Sequence, residues 1–179
     1  MHASLAIAPP ALDAVWAALA EIPDPEIPTI SIVDLGIVRS VEAGDDVLRI
    51  ELLPTFVGCP ALDAIRAAVE ARLAGARPRV EVAFSFAEPW TTDRITDRGR
   101  LGLRAGGFAP PRRAATGLDR GSPPADDALM TIVPLDVAVP CPMCGSRRTR
   151  LDNAFGPTLC RSIRYCLDCR QPFEGFKVV

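Results

Sequence analysis

Apolar residues near the start of the chain recur at helical spacing. They stand at positions i, i+3, i+4 and i+7, on one face of a helix: Leu12, Val15, Trp16 and Leu19. The run DPEIP at residues 24–28 follows, and its two prolines cannot continue a regular helix. The pattern predicts a first helix that ends before this run.

A period of two replaces the helical period farther along the chain. Leu48, Ile50 and Leu52 alternate with polar residues, which is typical of a strand with one solvated face. The polar turn GDD at residues 44–46 separates this strand from the segment that ends at Glu42. The simplest structure for this region is a β-hairpin.

A second helix and a third strand are predicted next. The helical stripe consists of Leu62, Ile65, Val69 and Leu73. Gly75 ends it, and we expect Pro60 at its first helical position. Residues 79–86 alternate again, and residues 90–104 predict a further short helix. The order helix, hairpin, helix, strand predicts a small α+β domain with two layers.

The charge changes sign along the chain. Residues 1–92 carry 13 acidic and 6 basic residues, whereas residues 137–179 carry 7 basic and 3 acidic ones. Between them, residues 105–136 hold nine proline or glycine residues and little periodic pattern, which is typical of a linker. We therefore predict an acidic domain at residues 1–104, a linker at 105–136 and a basic module at 137–179.

The overall composition excludes several classes of protein. The net charge of −2 and the 49% hydrophobic content are those of a globular protein that does not bind polyanions in bulk. The first ten residues lack a basic leader, and no apolar run is long enough to span a membrane, so we expect a cytoplasmic protein. The single histidine, His2, leaves little scope for histidine-based catalysis.

The cysteines are the strongest chemical signal. Four of the six form two C-x-x-C pairs that are separated by 21 residues. Two such turns can complete a tetrahedral shell around Zn²⁺, and a module of 43 residues is near the size at which a domain needs a metal. We predict a Cys₄ zinc ribbon with the ligands Cys141, Cys144, Cys166 and Cys169. Free thiols and an iron–sulfur centre are the alternatives. The few aromatic residues of the module are expected to form its core, so nucleic acid is not the expected partner.

Two further thiols have different surroundings. Cys160 lies near the ribbon, either as a small buried residue or as a thiol that exchanges with a ligand. Cys59 stands alone at the predicted start of the second helix, where backbone N–H groups lower the pKa of a thiol. A reactive Cys59 would share a pocket with Asp34 and Thr55. In the structural alternative, Asp34 closes a turn and Cys59 only caps the helix.

Three motifs carry a family resemblance. They are DPEIP at residues 24–28, DLGIV at 34–38 and PTFVGCPA at 54–61. They resemble the signature of the small α+β domain of iron–sulfur-assembly factors, the SufT-like proteins and their eukaryotic cytosolic counterparts. Two later segments, PWTTD at 89–93 and GFAPP at 107–111, together with the ribbon, are similar to the PaaD family, accessory subunits of the phenylacetyl-CoA epoxidase system.

The resemblance implies a function that the residues alone do not show. It implies a non-catalytic role in aerobic phenylacetate catabolism, beside a di-iron oxygenase and its reductase, with metallocentre maturation as the task. It assigns a characteristic thiol to Cys59 and its acidic partner to Asp34, and it matches Cys160 to a family cysteine. Arg94 and Gly175 depart from the family pattern, since an aromatic residue is usual at both places.

Cofactors and partners follow from the same resemblance. It implies structural Zn²⁺ in the ribbon and transient iron or an iron–sulfur unit at Cys59. The implied partners are the epoxidase oxygenase and reductase subunits and the general iron–sulfur assembly machinery, and a homodimer stays open. A structural binding module without metal delivery is the main alternative. An independent thiol hydrolase is disfavoured because no histidine is available to pair with Cys59.

Overall fold

A computed structural model of the chain describes five stretches of it: residues 12–44, 47–56, 58–75, 79–112 and 139–177. The chain divides into two compact units between Gly106 and Gly107, and each unit contains its own sheet. Most of the predicted linker, residues 113–136, lies outside the described residues. The first unit contains the predicted α+β domain, and the second contains the ribbon.

The first unit has the predicted order of elements. Its elements are α1 (Leu12–Ala20), β1 (Val38–Ala43), β2 (Leu48–Leu52), α2 (Leu62–Arg72) and β3 (Val80–Phe84). The sheet order is β1-β2-β3; β1 and β2 form an antiparallel hairpin, whereas β3 pairs parallel to β2 after the crossover through α2. The α+β prediction is confirmed.

The core of this unit follows the two periods seen in the sequence. Helix α1 buries Val15 and Leu19, and α2 buries Ile65 and Val69. The apolar positions of β2 are at most 1% exposed. Each such side chain stabilises the fold by about 1.5–3 kcal/mol when it is fully buried. Both helices contact the sheet and one another, which gives two layers.

A third helix closes the first unit. A 3₁₀ turn (Thr92–Arg94) precedes α3 (Asp97–Ala105), which begins later than the predicted short helix because Thr96 is its N-cap. The Thr96 hydroxyl accepts a hydrogen bond from the Gly99 N–H at 3.0 Å. A Cβ atom at Gly99 would lie 2.5 Å from the Asp34 carbonyl oxygen. Glycine is therefore required where α3 meets the segment before β1.

The second unit is a four-stranded ribbon. Its strands are β4 (Phe108–Ala109), β5 (Thr149–Asn153), β6 (Arg161–Cys166) and β7 (Pro172–Phe176), in the order β4-β7-β6-β5. Phe108 and Ala109 fall in the predicted linker, yet they pair parallel to β7. The physical reason is burial, since Ala109 is 0% exposed and packs in the core with Phe173.

Helix length bears on membrane insertion. The longest described helix, α2, has 11 residues, about half of what a bilayer-spanning helix needs. None of the helices in the described part of the chain could cross a membrane.

Candidate metal centre and thiol site

The four paired cysteines of the ribbon converge. Their Sγ atoms all lie within 4.8 Å of one another, and among the described residues they are the one group of three or more donors that could hold a metal. The sulfur atoms of Cys141 and Cys169 are 3.7 Å apart, and those of Cys144 and Cys166 are 3.6 Å apart. A tetrahedron with metal–sulfur bonds of about 2.3 Å has edges of about 3.8 Å, so this spacing fits Zn²⁺.

Both C-x-x-C turns close in the same way. The first lies before β5 and the second lies between β6 and β7. The residue after each pair has a left-handed backbone, with a φ of 74° at Gly145 and 58° at Arg170. This conformation bends the chain back, and the Gly145 N–H donates to the Cys141 carbonyl at 2.9 Å.

Backbone N–H groups and burial shift the pKa values of two ribbon thiols in opposite directions. The N–H groups of Cys169 and Asp168 outweigh burial and lower the pKa of Cys166 to about 7. Burial, together with the neighbouring thiols, raises the pKa of Cys169 to about 12. Metal binding requires deprotonated thiols, and a divalent cation would supply the charge that favours their ionisation. The donor set therefore suits a metal ion better than it suits four free thiols.

The metal centre is open on one side. Cys141 and Cys166 are buried and Cys169 is half-buried, whereas Cys144 is exposed. A solvent molecule or a partner can therefore reach the centre beside Cys144.

Cys160 lies away from this centre. It directly precedes β6, whereas Cys166 ends the same strand, so the two are separated by about 20 Å of extended chain. The Cys160 sulfur lies 3.1 Å from the Thr158 hydroxyl oxygen. This arrangement gives no support to an exchange of Cys160 with a ribbon ligand.

Cys59 is half-buried in the turn before α2. Its N–H donates to the Phe56 carbonyl at 3.2 Å. Helix α2 begins at Leu62 with Ala61 as its N-cap. The prediction that Pro60 occupies the first helical position is therefore wrong, because residues 59–61 still belong to the turn.

The electrostatic surroundings of Cys59 also differ from the prediction. Burial, joined by the charges of Glu26 and Asp24, raises the pKa of the thiol. Hydrogen bonds from the Ala61 N–H and the Thr55 side chain favour the thiolate but do not offset this. The predicted lowering by a helix terminus is wrong, because the thiol lies three residues before the helix and beside two carboxylates.

The carboxylates beside Cys59 belong to the DPEIP run, whose prolines predict only the end of a helix. In the structure the Asp24 carboxylate accepts hydrogen bonds from the N–H groups of Glu26 and Ile27, at 3.0 and 2.9 Å. It thereby fixes the turn that carries both acids. The Thr55 side chain forms a hydrogen bond with the Cys59 thiol.

Asp34 lies in a different cluster. Its carboxylate accepts hydrogen bonds from the Thr96 hydroxyl at 2.7 Å, the Arg98 Nε at 2.8 Å and the Ser31 hydroxyl at 3.0 Å. None of its contacts with described residues involves Cys59. Asp34 thus joins the segment before β1 to the start of α3, and the shared pocket with Cys59 stays a prediction.

Asp34 makes the first unit sensitive to acid. Burial alone would raise the pKa of Asp34, but the hydrogen bonds from Thr96, Arg98 and Ser31 hold it below its usual value of 3.8. The unfolded chain therefore takes up the proton first. The contribution of Asp34 to stability is complete above about pH 5 and is lost as the pH falls through its folded-state value.

An Asp34→Asn variant tests this. It should lose about 1–3 kcal/mol of unfolding free energy at pH 7, and its stability should fall less between pH 5 and about pH 3 than that of the wild type. Urea unfolding followed by tryptophan fluorescence is specific, because the two tryptophans, Trp16 and Trp90, both lie in the first unit. Asp63→Asn, an exposed carboxylate on α2, should change stability by about 0.5 kcal/mol or less. Equal acid profiles for wild type and Asp34→Asn would contradict the assignment.

An open cleft of about 500 Å³ borders this cluster. It lies between the end of α1 and α3, and its walls include Glu21, Thr29, Arg98 and Leu101. Charges of both signs alternate there with apolar groups, so the lining favours no particular class of ligand.

Two family models match the chain. The model described as an iron–sulfur cluster assembly protein matches residues 12–84, and the model described as the PaaD zinc beta ribbon domain matches residues 126–177. The first range holds α1 to β3 and the second holds the four-thiol cluster. Each model therefore matches one of the two units.

One relative, aligned over nearly all of both sequences, decides the family. A protein of Escherichia coli strain K12, provisionally named as a component of 1,2-phenylacetyl-CoA epoxidase, is 37% identical over 174 residues, which are 97% of this chain and 96% of the relative. The chain belongs to the PaaD family. The resemblance drawn from the motifs is confirmed, and so is the C-terminal ribbon.

Two solved structures resemble part of this PaaD-family chain. The crystal structure of a DUF59 domain of unknown function from Bacillus anthracis is 27% identical, with a TM-score of 0.48, and covers 51% of this chain and 89% of its own. A conserved hypothetical protein from Thermotoga maritima is 25% identical, with a TM-score of 0.46. The match covers 52% of this chain and 94% of the Thermotoga chain.

Proposed function

We propose that this chain is a non-catalytic accessory and maturation protein of the multicomponent phenylacetyl-CoA epoxidase of aerobic phenylacetate catabolism. The observation that carries the proposal is the union, in one PaaD-family chain, of an iron–sulfur assembly domain and a four-thiol ribbon. The name of the Escherichia coli relative supports the epoxidase as the complex served. The single histidine, His2, gives Cys59 little prospect of a general base, which argues against independent catalysis.

In this proposal the ribbon holds structural Zn²⁺ through Cys141, Cys144, Cys166 and Cys169. The sulfur spacing supports this ligand set. The bound ion supplies cross-linking without redox chemistry. It would join the turn before β5 to the turn after β6, in a unit whose core consists of few residues.

Cys59 is the proposed contact with the cargo, which is iron or an iron–sulfur unit. The structure gathers no second group of three or more donors among the described residues, so Cys59 would offer one ligand and the cargo or the client the others. Its raised pKa keeps the thiol protonated until a cation displaces the proton. The negative charges of Glu26 and Asp24 would favour the approach of that cation.

The partners in this proposal are the oxygenase and reductase subunits of the epoxidase. The general iron–sulfur assembly machinery would supply the cargo, in the cytoplasm. Thr55 would steer the thiol through its hydrogen bond, whereas Asp34 would keep the domain intact by fixing the start of α3.

Deletion of this chain from a phenylacetate-degrading bacterium tests the proposal. The oxygenase and reductase polypeptides should still be present but short of iron, as measured by elemental analysis and visible spectra after anaerobic purification. A plasmid copy of the wild type should restore both metal content and activity. Fully loaded and active partners in the deletion strain would refute the maturation role.

A structural binding module is the second candidate. The exposed side of the metal centre, which a partner could cover, favours it. In that case the same deletion should leave each epoxidase component fully loaded with iron, and gel filtration should show a complex that dissociates more easily.

A further inference from the structure

The metal end of the ribbon exposes apolar side chains. Met143, in the first C-x-x-C turn, is 60% exposed, and Leu167, in the second, is 45% exposed. The convergence of the four sulfurs within 4.8 Å brings the two turns side by side. Two large apolar side chains thus lie at one end of a small unit, where methionine in particular is typical of interfaces.

Three exposed arginines, Arg147, Arg148 and Arg170, follow the two C-x-x-C turns closely in the chain. The Leu167 N–H donates to the Arg148 carbonyl at 2.8 Å, which fixes the segment after the first turn beside the second. Arg148 itself pairs with Asp168 at 2.8 Å. Arg147 and Arg170 are exposed, and neither has an ion pair with any residue in the described ranges. Among the residues that the structure describes, no carboxylate pairs with these two guanidinium groups at the end of the ribbon.

Arg170 occupies a strained position. Its φ of 58° is in the left-handed region, where glycine is free of strain and arginine is not. The equivalent position in the first turn is Gly145. An arginine at this position lowers stability relative to glycine. A function of the arginine side chain would explain why the strained residue is present.

We propose that Met143, Leu167, Arg147 and Arg170, which we call the knuckle face, form the docking site for an acidic protein surface with an apolar centre. The positive charges of Arg147 and Arg170 favour an acidic partner. The apolar groups are aliphatic and offer no ring on which a base could stack, so the face suits protein rather than nucleic acid. The exposed Phe155 lies between β5 and β6, at the opposite end of the ribbon.

The docked surface would also cover the open side of the metal centre. Cys144 is adjacent to Met143 and is the exposed member of the four thiols. A partner on the knuckle face therefore shields the ion from chelators. The probe for docking is the epoxidase oxygenase and reductase subunits, purified without this chain. Only this choice of probe rests on the proposed function.

The decisive variant is Arg170→Gly in the full chain. It should keep its metal and fold at least as stably as the wild type, because glycine relieves the strain, yet bind the probe about tenfold more weakly. Met143→Ser combined with Leu167→Ser should weaken binding at least as much. Biolayer interferometry measures the Kd, and a colorimetric chelator should remove the ion more slowly from the wild-type complex than from the free chain.

Matched controls come from the other end of the ribbon. Phe155→Ser combined with Leu159→Ser, and Lys177→Gly, make similar changes away from the metal and should leave Kd within about twofold. If only these control variants weaken binding, or if Arg170→Gly binds as tightly as the wild type, the probe docks at another surface and the proposal is wrong. No binding of the probe to the wild type would also overturn the proposal.

Two other occupants have their own signatures. If a 30-nucleotide DNA binds the wild type in a salt-dependent manner and does not bind the Arg170→Gly variant, the face is assigned to nucleic acid. A wild-type dimer that Arg170→Gly converts to monomer in analytical ultracentrifugation would assign it to a second copy. This test is separate from the test of the maturation role. The probe can bind the knuckle face even if the iron content of the epoxidase subunits does not depend on this chain.

Discussion

Replacement of Cys166 by serine should empty the metal centre and unfold the ribbon while the first unit stays folded. Cys166 is fully buried, ends β6 and lies 3.6 Å from the Cys144 sulfur. A structural zinc ion contributes about 10–16 kcal/mol of apparent binding free energy in small modules, more than this small core could replace. Native mass spectrometry should show the loss of the ion, and limited proteolysis should cut within residues 139–177.

The control for this variant is Cys160→Ser. It makes the same chemical change about 20 Å away along β6, so both the ion and protease resistance should persist. Tryptophan fluorescence should report an intact first unit in both variants, because Trp16 and Trp90 lie there. A Cys166→Ser protein that retains one ion, or that resists protease without it, would contradict the assigned ligand set.

Replacement of Cys59 by alanine should abolish growth on phenylacetate without unfolding the protein. The side chain is half-buried, so its loss should cost only about 1 kcal/mol of stability. If Cys59 is the contact with the cargo, the oxygenase and reductase should contain as little iron as in the deletion strain. Growth rate, iron content and urea unfolding of the purified variant together measure this.

The matched control for Cys59→Ala is Cys160→Ala, because Cys160 is also a half-buried thiol but lies in the ribbon. It should support normal growth. If Cys59→Ala also supports normal growth and full iron loading, the chain acts as a structural module. If it fails to fold, Cys59→Ser keeps the size of the side chain, and the same loss of growth is then expected from a folded protein.

Regular spacing made much of the fold predictable. The stripe through Ile65 and Val69 predicted α2, and the alternation of Leu48, Ile50 and Leu52 predicted β2, because burial of one face imposes a period. The two C-x-x-C pairs predicted the four-thiol cluster because the short spacing within each pair defines a local turn that brings two thiols together. Local and periodic features of this kind can be predicted from a single sequence.

Contacts between distant residues were not predictable in this way. The pKa of Cys59 depends on Glu26 and Asp24, more than 30 positions away, and Asp34 is held by Thr96 and Arg98, more than 60 positions away. Strand β4 has only two residues, too few to show any period. The predicted helix start at Pro60 failed because proline fits both a first helical position and a turn.

Strand β4 has a consequence for dissection of the molecule. It lies at the edge of the ribbon sheet and covers β7, although the long stretch from residue 113 to 138 separates it from the first C-x-x-C turn. A fragment or chimera that starts at residue 126, where the family match begins, would leave the β7 edge bare and prone to intermolecular pairing. The transplantable piece of this protein begins at Gly107.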